Sequence, residues 1–509
     1  MFWPSSPYAA AMEEAGEVQT LTKDSARAPV QSNSVEAMRL ASEKNADFAF
    51  VLARFASDLT LDRLPANVIE AAKANIFDTL ACALAGSSAP GVAEAVELAG
   101  EWGGASQATL LTFGGKLPAH HAAWVNGTMA HARDYDDTHD AAVLHAGVSV
   151  IPAALAAAEL RGGVSGCDFI AAVAAGLETI CRLGVATRIG IIESGFIYTP
   201  LFGHFAATVA AGRALGLNHA QMVNAIGIVY SQVAGNHQVT RDGAMTKRMQ
   251  PGFAAKAALV SVQLARKNVR GAQHTFDGID GFLRVYLRDR CDGEVLRAEL
   301  GERYEFVNLS YKAYPCCRFN HTAIDAALAL RAQENIAPQR IRSVRVGLNR
   351  QAYEAVCTPV EVRKAPQGIV DAQFSIPFTV ATAICDGYVE LRHFTNDALR
   401  RTDILVLAQR VEAFVDDAIE REWSRNISPA HLSVELTDGS MHELRVDYPK
   451  GHPTRPMSTA EFDAKLRDCI GIAATTLPAD AAARLRFAID DLANARDVTE
   501  LVRAVTRQP

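Results

Sequence analysis

The sequence predicts a mainly α-helical fold, a large all-helical domain with a smaller α+β domain. Three observations predict it. From Ala46 to about residue 310, one Ala- and Leu-rich segment of helical character follows another, with Gly and Asn between them. Near 310 the composition shifts, and Ile341 to Leu348 (I-R-S-V-R-V-G-L) alternates as a strand does. After Lys450-Gly451-His452-Pro453, Ser458 and Glu461 have the spacing of a capping box, and helical sequence runs to the end.

Residues 1–45 mix Pro, Ser, Glu, Lys and Gln with no sustained period and read as a disordered extension. They lack the cationic start and apolar centre of a secretory signal, and Met38 offers an alternative start. Asp47 to Ser57 is amphipathic. Leu64-Pro65 opens the next helix, with Pro at a tolerated first-turn position. That helix runs through Val68, Ala72 and Ile76 to about Ala85, and Gly86 ends it. Further helices are expected at 91–102, 119–133, 143–161, 167–186, 204–215 and 219–233. Their small residues allow close approach, hence a compact multi-helix body.

A polar loop, Val239 to Gly252, precedes a helix from Phe253 to Arg266. Lys247 and Arg248 therefore stand before a helix N-terminus, where cations and free backbone N–H groups favour an anion. Gly278 to Gly281 match no nucleotide-binding pattern, since no strand precedes them. In the smaller domain, helices at 321–333, 371–387, 395–399 and 403–416 lie among the strand at 341–348 and a hairpin over 431–446. Asp438-Gly439 is the hairpin's turn signal.

Composition narrows the function classes. A net charge of −7 argues against nucleic acid as partner, so any anion must be captured by a local basic cluster. Hydrophobic residues at 49% and charged residues at 21% give the balance of a soluble globular protein. The odd count of 9 cysteines, with no repeated spacing, makes no disulfide framework and points to a reducing compartment, the cytoplasm. Cys316-Cys317 reads as two small buried residues. Ala141 to Ala158 lacks formal charge but contains His145, Ser149 and Pro152, which suits a buried helix better than a bilayer span. No membrane partner is expected.

Chemistry concentrates in Asn126 to His145. This span packs Asp134, Asp136, Asp137, Asp140, His131, His139 and His145 between apolar helices. His145 is intrinsically poised for acid–base work near neutral pH, although a His in an Ala-rich helix also serves structurally. Asp136, Asp137 and His139 are residue types that bind divalent ions, but the helix-period motifs that sharpen a metal assignment are absent. Arg248 and Arg318 either bind substrate carboxylates or pair with the acidic residues of 134–140. His321, four residues before Asp325, is either a pocket wall or half of a core pair.

Four stretches together resemble the MmgE/PrpD family, the group that includes 2-methylcitrate dehydratase and cis-aconitate decarboxylase. They are N-G-x-x-A-H-A-x-D-Y-D-D-T-H (126–139), M-T-K-R-x-x-P-G-F-A-A (245–255), Y-K-A-Y-P-C-C-R-F-N-H-T-A-I-D-A (311–326) and P-K-G-H-P-x-x-P-M-S (449–458). The likeness extends over roughly 45–505. It implies a helical domain over 46–310, an α+β lid over 311–449, and C-terminal helices over 450–509 that rejoin the helical domain. It also implies a homodimer, an active site between the domains, and no metal or organic cofactor. The implied activity is a lyase acting on a small di- or tricarboxylate.

The resemblance places Asp134, Thr138, His145, Lys247 and Lys312 at the family's catalytic positions. His145 would be the acid/base, Asp134 its partner, Thr138 a hydrogen bonder, and the two lysines an anion clamp. Arg248, Arg318, His321, Tyr198 and Phe378 are expected to line the substrate. The gap between Asp-Asp-Thr and His145 is like that of the fungal cis-aconitate decarboxylases and one residue longer than in their animal counterparts. Two positions depart from the pattern. Gly195-Phe196 is followed by Ile197 where the family often has a His, and Phe378 stands where a Tyr is common. Tyr198 and His204 are candidates for the missing imidazole's task. The departures keep an epimerase and a non-catalytic carboxylate-binding paralogue open as alternatives.

Overall fold

The computed structural model describes residues 46–423 and 427–506. The extension expected over 1–45, and the alternative start at Met38, lie outside these residues. The principal helices of the first part are α1 (Phe48–Asp58), α2 (Ala66–Gly86), α3 (Val92–Trp102), α4 (Ala119–His131), α5 (Gly147–Arg161), α6 (Gly166–Ala186), α7 (Tyr198–Leu215), α8 (His219–Tyr230) and α9 (Gln250–Arg266). α7 packs against α5, α6 and α9 and is buried along nearly its whole length. α6 is long and apolar enough to cross a membrane, and 94% of that stretch is buried inside the fold. It serves as a core helix against α7.

Glycines set one contact that matters for the site. A Cβ on Gly127 of α4 would lie 2.9 Å from Gly252 Cα, and one on Gly252 of α9 only 2.2 Å from the Trp124 carbonyl oxygen. Neither helix tolerates a side chain there. The close approach brings the segment before α9, with Lys247, beside the segment after α4, with Asp134.

The second part has its own core. Beyond the short antiparallel pair β1 (Ala108–Thr109) and β2 (Lys116–Leu117) of the first part, strand β3 (Ile341–Leu348) runs parallel to β4 (Val411–Val415) and antiparallel to β5 (Ala430–Leu436), which pairs with β6 (Met441–Val446). The sheet order is β4-β3-β5-β6. Residues of β5 alternate buried and half-buried, the period-2 pattern of a strand with one face covered. Helices α10 (His321–Glu334), α11 (Ile376–Asp386) and α12 (Thr402–Gln409) supply the cover. Ile324, Phe378, Ile384 and Leu407 pack with Val344, Val346, Leu432 and Val434. Gly439 closes the β5–β6 turn with φ 86°.

After Ser458, which makes the expected capping box with Glu461, α13 (Thr459–Gly471), α14 (Ala481–Asp490) and α15 (Thr499–Ala504) return to the helical core. Leu466, Cys469, Leu485, Ile489 and Leu501 share that core with Leu80 and Leu84. The fold is thus mainly α with a smaller α+β part.

Several boundaries differ from the sequence expectation. The helix expected over 403–416 ends at Gln409, and V-E-A-F-V forms β4, because the run registers against β3. The helix expected from 143 begins at Gly147, since Asp137 claims the N–H groups of Ala146 and Gly147 as an N-terminal cap. α7 begins at Tyr198 rather than 204, and α11 at Ile376, where Ser375 accepts from the Phe378 N–H. The polar loop 239–252 holds a helical turn at Gln238–Arg241 and a 3-10 turn at Met245–Met249 that runs straight into α9. The segment 395–399 reduces to a 3-10 turn at Ala398–Arg400.

Candidate active site

The loop between α4 and α5 carries most of the acidic groups. Asp134 (φ 53°) and Val143 (φ 54°) both adopt left-handed backbone conformations. Asp tolerates this region, whereas a β-branched Val does not, so the loop stores strain that its anchors must hold. The anchors are visible. Thr138 and Ser310 exchange backbone hydrogen bonds of 2.8 and 2.7 Å. Thr138 Oγ1 donates to Asp140 Oδ1 at 2.9 Å, and Ser310 Oγ donates to Asp140 Oδ2 at 2.6 Å. The Thr138 hydroxyl thus serves the loop.

Asp134 sits between two lysines from distant segments. Lys312 Nζ is 3.1 Å from Asp134 Oδ2 and donates to the Asp134 carbonyl at 2.8 Å. Lys247 Nζ donates to Asp134 Oδ1 at 3.4 Å and lies 5.9 Å from the Phe374 ring centre. Burial works against ionising Asp134, and the Lys312 and Lys247 ammonium groups overcome it, holding the carboxyl below the usual carboxylate range. Burial likewise opposes the Lys312 charge, and Asp134 and Asp136 outweigh it, so that pKa is raised. The Lys312 side chain is 1% exposed and that of Lys247 29%. Lys247 is therefore the cation open to a ligand.

His145 does not meet Asp134 in the way the sequence suggested. Its Nδ1 lies 2.8 Å from Oδ2 of Asp136, and His131 Nδ1 lies 2.8 Å from the same oxygen. The two lysines claim Asp134, which leaves Asp136 as the carboxylate of the imidazoles. Burial opposes the Asp136 charge, and His145 with His131 hold its pKa well below the ordinary value. Burial pushes His131 from 6.5 down to about 4, against the pull of Asp136. The backbone N–H of His145 donates to Thr199 Oγ1 at 3.0 Å. The His145 side chain is 18% exposed, and it and Lys247 both lie close enough to Asp134 for their charges to act on it.

The metal alternative on Asp136, Asp137 and His139 does not assemble. Asp137 caps α5, and His139 accepts from the Ala142 N–H while facing Glu305 at 3.5 Å. His131, Asp136 and His145 do bring ligand-type atoms within 4.8 Å of one another. His131 Nδ1 is hydrogen-bonded to Asp136 Oδ2, and His145 Nδ1 lies 2.8 Å from the same oxygen.

Other expected substrate contacts are engaged elsewhere. Arg318 donates to both Asp140 oxygens at 3.3 and 3.2 Å and to the Lys450 carbonyl at 3.2 Å. It pairs with the acidic loop, as the second of its two readings had it. His321 is fully buried against Arg318 and Tyr314 and belongs to the core. Phe378 is fully buried and packs near Phe394, because its helix turns that face to the sheet. The Tyr198 hydroxyl donates to the Ile189 carbonyl. Arg248 donates to the Pro90 carbonyl at 3.1 Å and stays close enough to Asp134 to feel its charge. His204 is buried and bonded to the Pro200 carbonyl at 2.7 Å within its own helix, so neither it nor Tyr198 offers a free proton carrier.

Sequence comparison places this geometry. The family model described as the MmgE/PrpD N-terminal domain matches residues 51–292, and that of the MmgE/PrpD C-terminal domain matches 314–494. The chain belongs to the MmgE/PrpD family. Among its relatives is the cis-aconitate decarboxylase-like protein oryM of Aspergillus oryzae, 26% identical over 89% of this chain and 96% of that protein. The cis-aconitate decarboxylase of Aspergillus terreus is 26% identical over 90% of this chain and 96% of its own length. The Homo sapiens cis-aconitate decarboxylase is 24% identical over 80% and 85%.

Within this MmgE/PrpD chain, sequence reasoning missed several residues at the site. Asp136 and His131 were visible only as members of a crowded run. Lys465 of α13 donates to Asp78 Oδ1 at 2.6 Å, to the Tyr135 carbonyl at 2.7 Å and to the Lys312 carbonyl at 3.0 Å. Gln373 Nε2 donates to the carbonyls of Arg133 (2.8 Å) and Pro315 (3.0 Å), tying the α+β part to the acidic loop. The segment with Ile197 pairs with Gly235 to His237, and His237 Nδ1 has no hydrogen-bond partner.

Proposed function

We propose that this chain is a lyase acting on a small tricarboxylate, with decarboxylation of a cis-aconitate-like substrate as the best-supported reaction. The observation that carries the proposal is a partly exposed imidazole, His145, backed by the buried Asp136 carboxylate, with the charges of His145 and of the partly exposed Lys247 ammonium both acting on the Asp134 carboxyl. The printed names of the curated relatives support the substrate class.

In the proposed reaction the bond from carbon to one carboxylate breaks and CO2 leaves. The electron pair moves onto that carbon and into the conjugated carboxylate. Lys247, with Lys312 and Arg248 behind it, stabilises the developing negative charge. The His145 imidazolium then gives its proton to carbon and recovers one from solvent. No metal or organic cofactor is called on, and the homodimer and cytoplasmic setting remain part of this proposal.

A dehydratase uses the same groups, with His145 taking a proton from carbon as hydroxide leaves. The loss of ionisable groups at Ile197 and Phe378 favours a second reading, an epimerase of a dicarboxylate, because epimerisation needs no leaving-group acid.

Proton NMR in D2O with cis-aconitate, 2-methylcitrate, citrate and iminodisuccinate tests these readings. CO2 loss with one deuterium entering the product supports the decarboxylase. Water loss makes it a dehydratase. Deuterium entry without net product moves the assignment to the epimerase. Thermal stabilisation by one of these carboxylates without any exchange makes it a binding paralogue.

A further inference from the structure

Asp136 is a fully buried carboxylate set between two imidazoles. Its Oδ2 is hydrogen-bonded to His131 Nδ1 at 2.8 Å and lies 2.8 Å from His145 Nδ1 as an ion-pair contact outside hydrogen-bond geometry, while its Oδ1 has no hydrogen-bond partner. The two rings meet edge to face, with centres 4.8 Å apart and planes at 68°. One ring is closed off, the His131 side chain being 3% exposed, and the other is open, the His145 side chain being 18% exposed. We propose that Asp136 is a positioning residue that fixes His145 with its proton on Nδ1 and leaves the Nε2 lone pair free to accept a proton, and that His131 braces Asp136. The proposal rests on the acid–base reading of His145 given above.

An ionised carboxylate only accepts, so each nitrogen that faces it carries a proton. Neutral His145 is then left with Nε2 as its one proton-accepting atom. When Nε2 takes a proton, the imidazolium lies against a fixed anion in a water-poor setting, which favours it. His131 does not compete for that proton, because burial disfavours its charged form. Its Nδ1–H instead stops the carboxylate from turning its bare oxygen toward His145. The other charged groups around this network are Asp134 and Asp137 on the same loop, Asp78 of α2 with its partner Lys465, Lys247 before α9, and Lys312 at the entry to the α+β part.

The test uses the full chain labelled with 15N-histidine, with the His145 signals identified by their loss in His145→Gln. At pH 8 the expected result is Nδ1 protonated and Nε2 bare. A wild-type His145 with its proton on Nε2 overturns the proposal. In Asp136→Asn the ring is expected to shift to the other tautomer or to a mixture. With cis-aconitate as the probe, Asp136→Asn is expected to lower kcat by about 100-fold or more with KM changed less than about threefold. The limb of its pH–kcat profile set by His145 is expected to move to lower pH. His131→Gln, which keeps a donor, is expected to lose only about tenfold in kcat.

Unchanged kcat and pH profile in Asp136→Asn overturn the positioning role. Full kcat in His145→Gln overturns the acid–base reading instead, so the two failures are told apart. If Asp136→Asn does not fold, or cis-aconitate is not turned over, the wild-type tautomer decides.

Discussion

Asp134 and Lys312 lie 178 residues apart in the chain and meet at 3.1 Å between carboxylate and ammonium. The α4–α5 loop supplies one partner and the entry to the α+β part supplies the other. The pair therefore exists only when the two parts are docked, and its charges divide into a structural cation and an open one.

Replacing each lysine separates these roles. Lys247→Ala is expected to raise KM at least tenfold with little change in Tm, because its side chain is partly exposed. Lys312→Met is expected to destabilise the fold by about 3 kcal/mol, because it strips a buried carboxylate of its nearest cation. Steady-state kinetics and denaturant unfolding check the two. Equal effects on both readouts would contradict the division.

His145→Gln is expected to lower kcat by about 10²–10⁴-fold, the usual worth of a positioned acid–base group. KM is expected to stay close to wild type, while Tm falls modestly because the buried Asp136 loses one of its two imidazole partners. Turnover of cis-aconitate, followed by CO2 release, measures the loss.

Acid is expected to destabilise the protein through the site. The folded-state pKa of His131 is about 4 against an ordinary 6.5. The unfolded chain binds that proton more tightly, so the contribution is present above about 6.5 and lost as pH falls toward 4. Asp134 and Asp136 act in the same direction at lower pH. Their folded pKa values are depressed, so their stabilisation is present above the ordinary 3.8 and lost as pH falls through the folded values. Unfolding free energies between pH 7.5 and 4.5 are expected to fall, and His131→Gln is expected to flatten the curve.

Lys465→Met is expected to cost about 3–5 kcal/mol, since it leaves Asp78 buried without its partner. Asp78→Asn combined with it is expected to recover part of the loss. A double-mutant cycle in denaturant measures the coupling.

Dialysis against EDTA is expected to leave turnover intact. Loss of turnover, restored by one divalent ion, would assign a cation to the His131–Asp136–His145 cluster.

Much of the fold was legible because it rests on local signals. Ala-rich helical segments, the alternation of 341–348, the Asp438-Gly439 turn and the Ser458–Glu461 box each depend on neighbours in sequence. β4 was missed because V-E-A-F-V follows a helical segment without a break and becomes a strand only by pairing with β3. The site was legible in its residue types but not in its pairings. Asp134, Asp136 and Asp137 stand almost side by side, yet one meets lysines, one meets imidazoles and one caps a helix. The left-handed turn at Asp134 and partners from remote segments decide which is which, and neither is a property of the local sequence. Phe378 and His321 looked like site residues for the same reason, since the face a helix turns inward is set by the sheet it covers.

The Lys465 ammonium gathers an aspartate of α2, the backbone of the acidic loop and the backbone of Lys312 into one point. During synthesis those three segments leave the ribosome before Lys465 does. The helical body can begin to collapse on the nascent chain, as domains generally do, but Asp78 then has no cation at its side. The pocket is thus keyed by a residue made late. A chain arrested before Thr459 is expected to carry the proposed catalytic groups and remain silent until α13 docks.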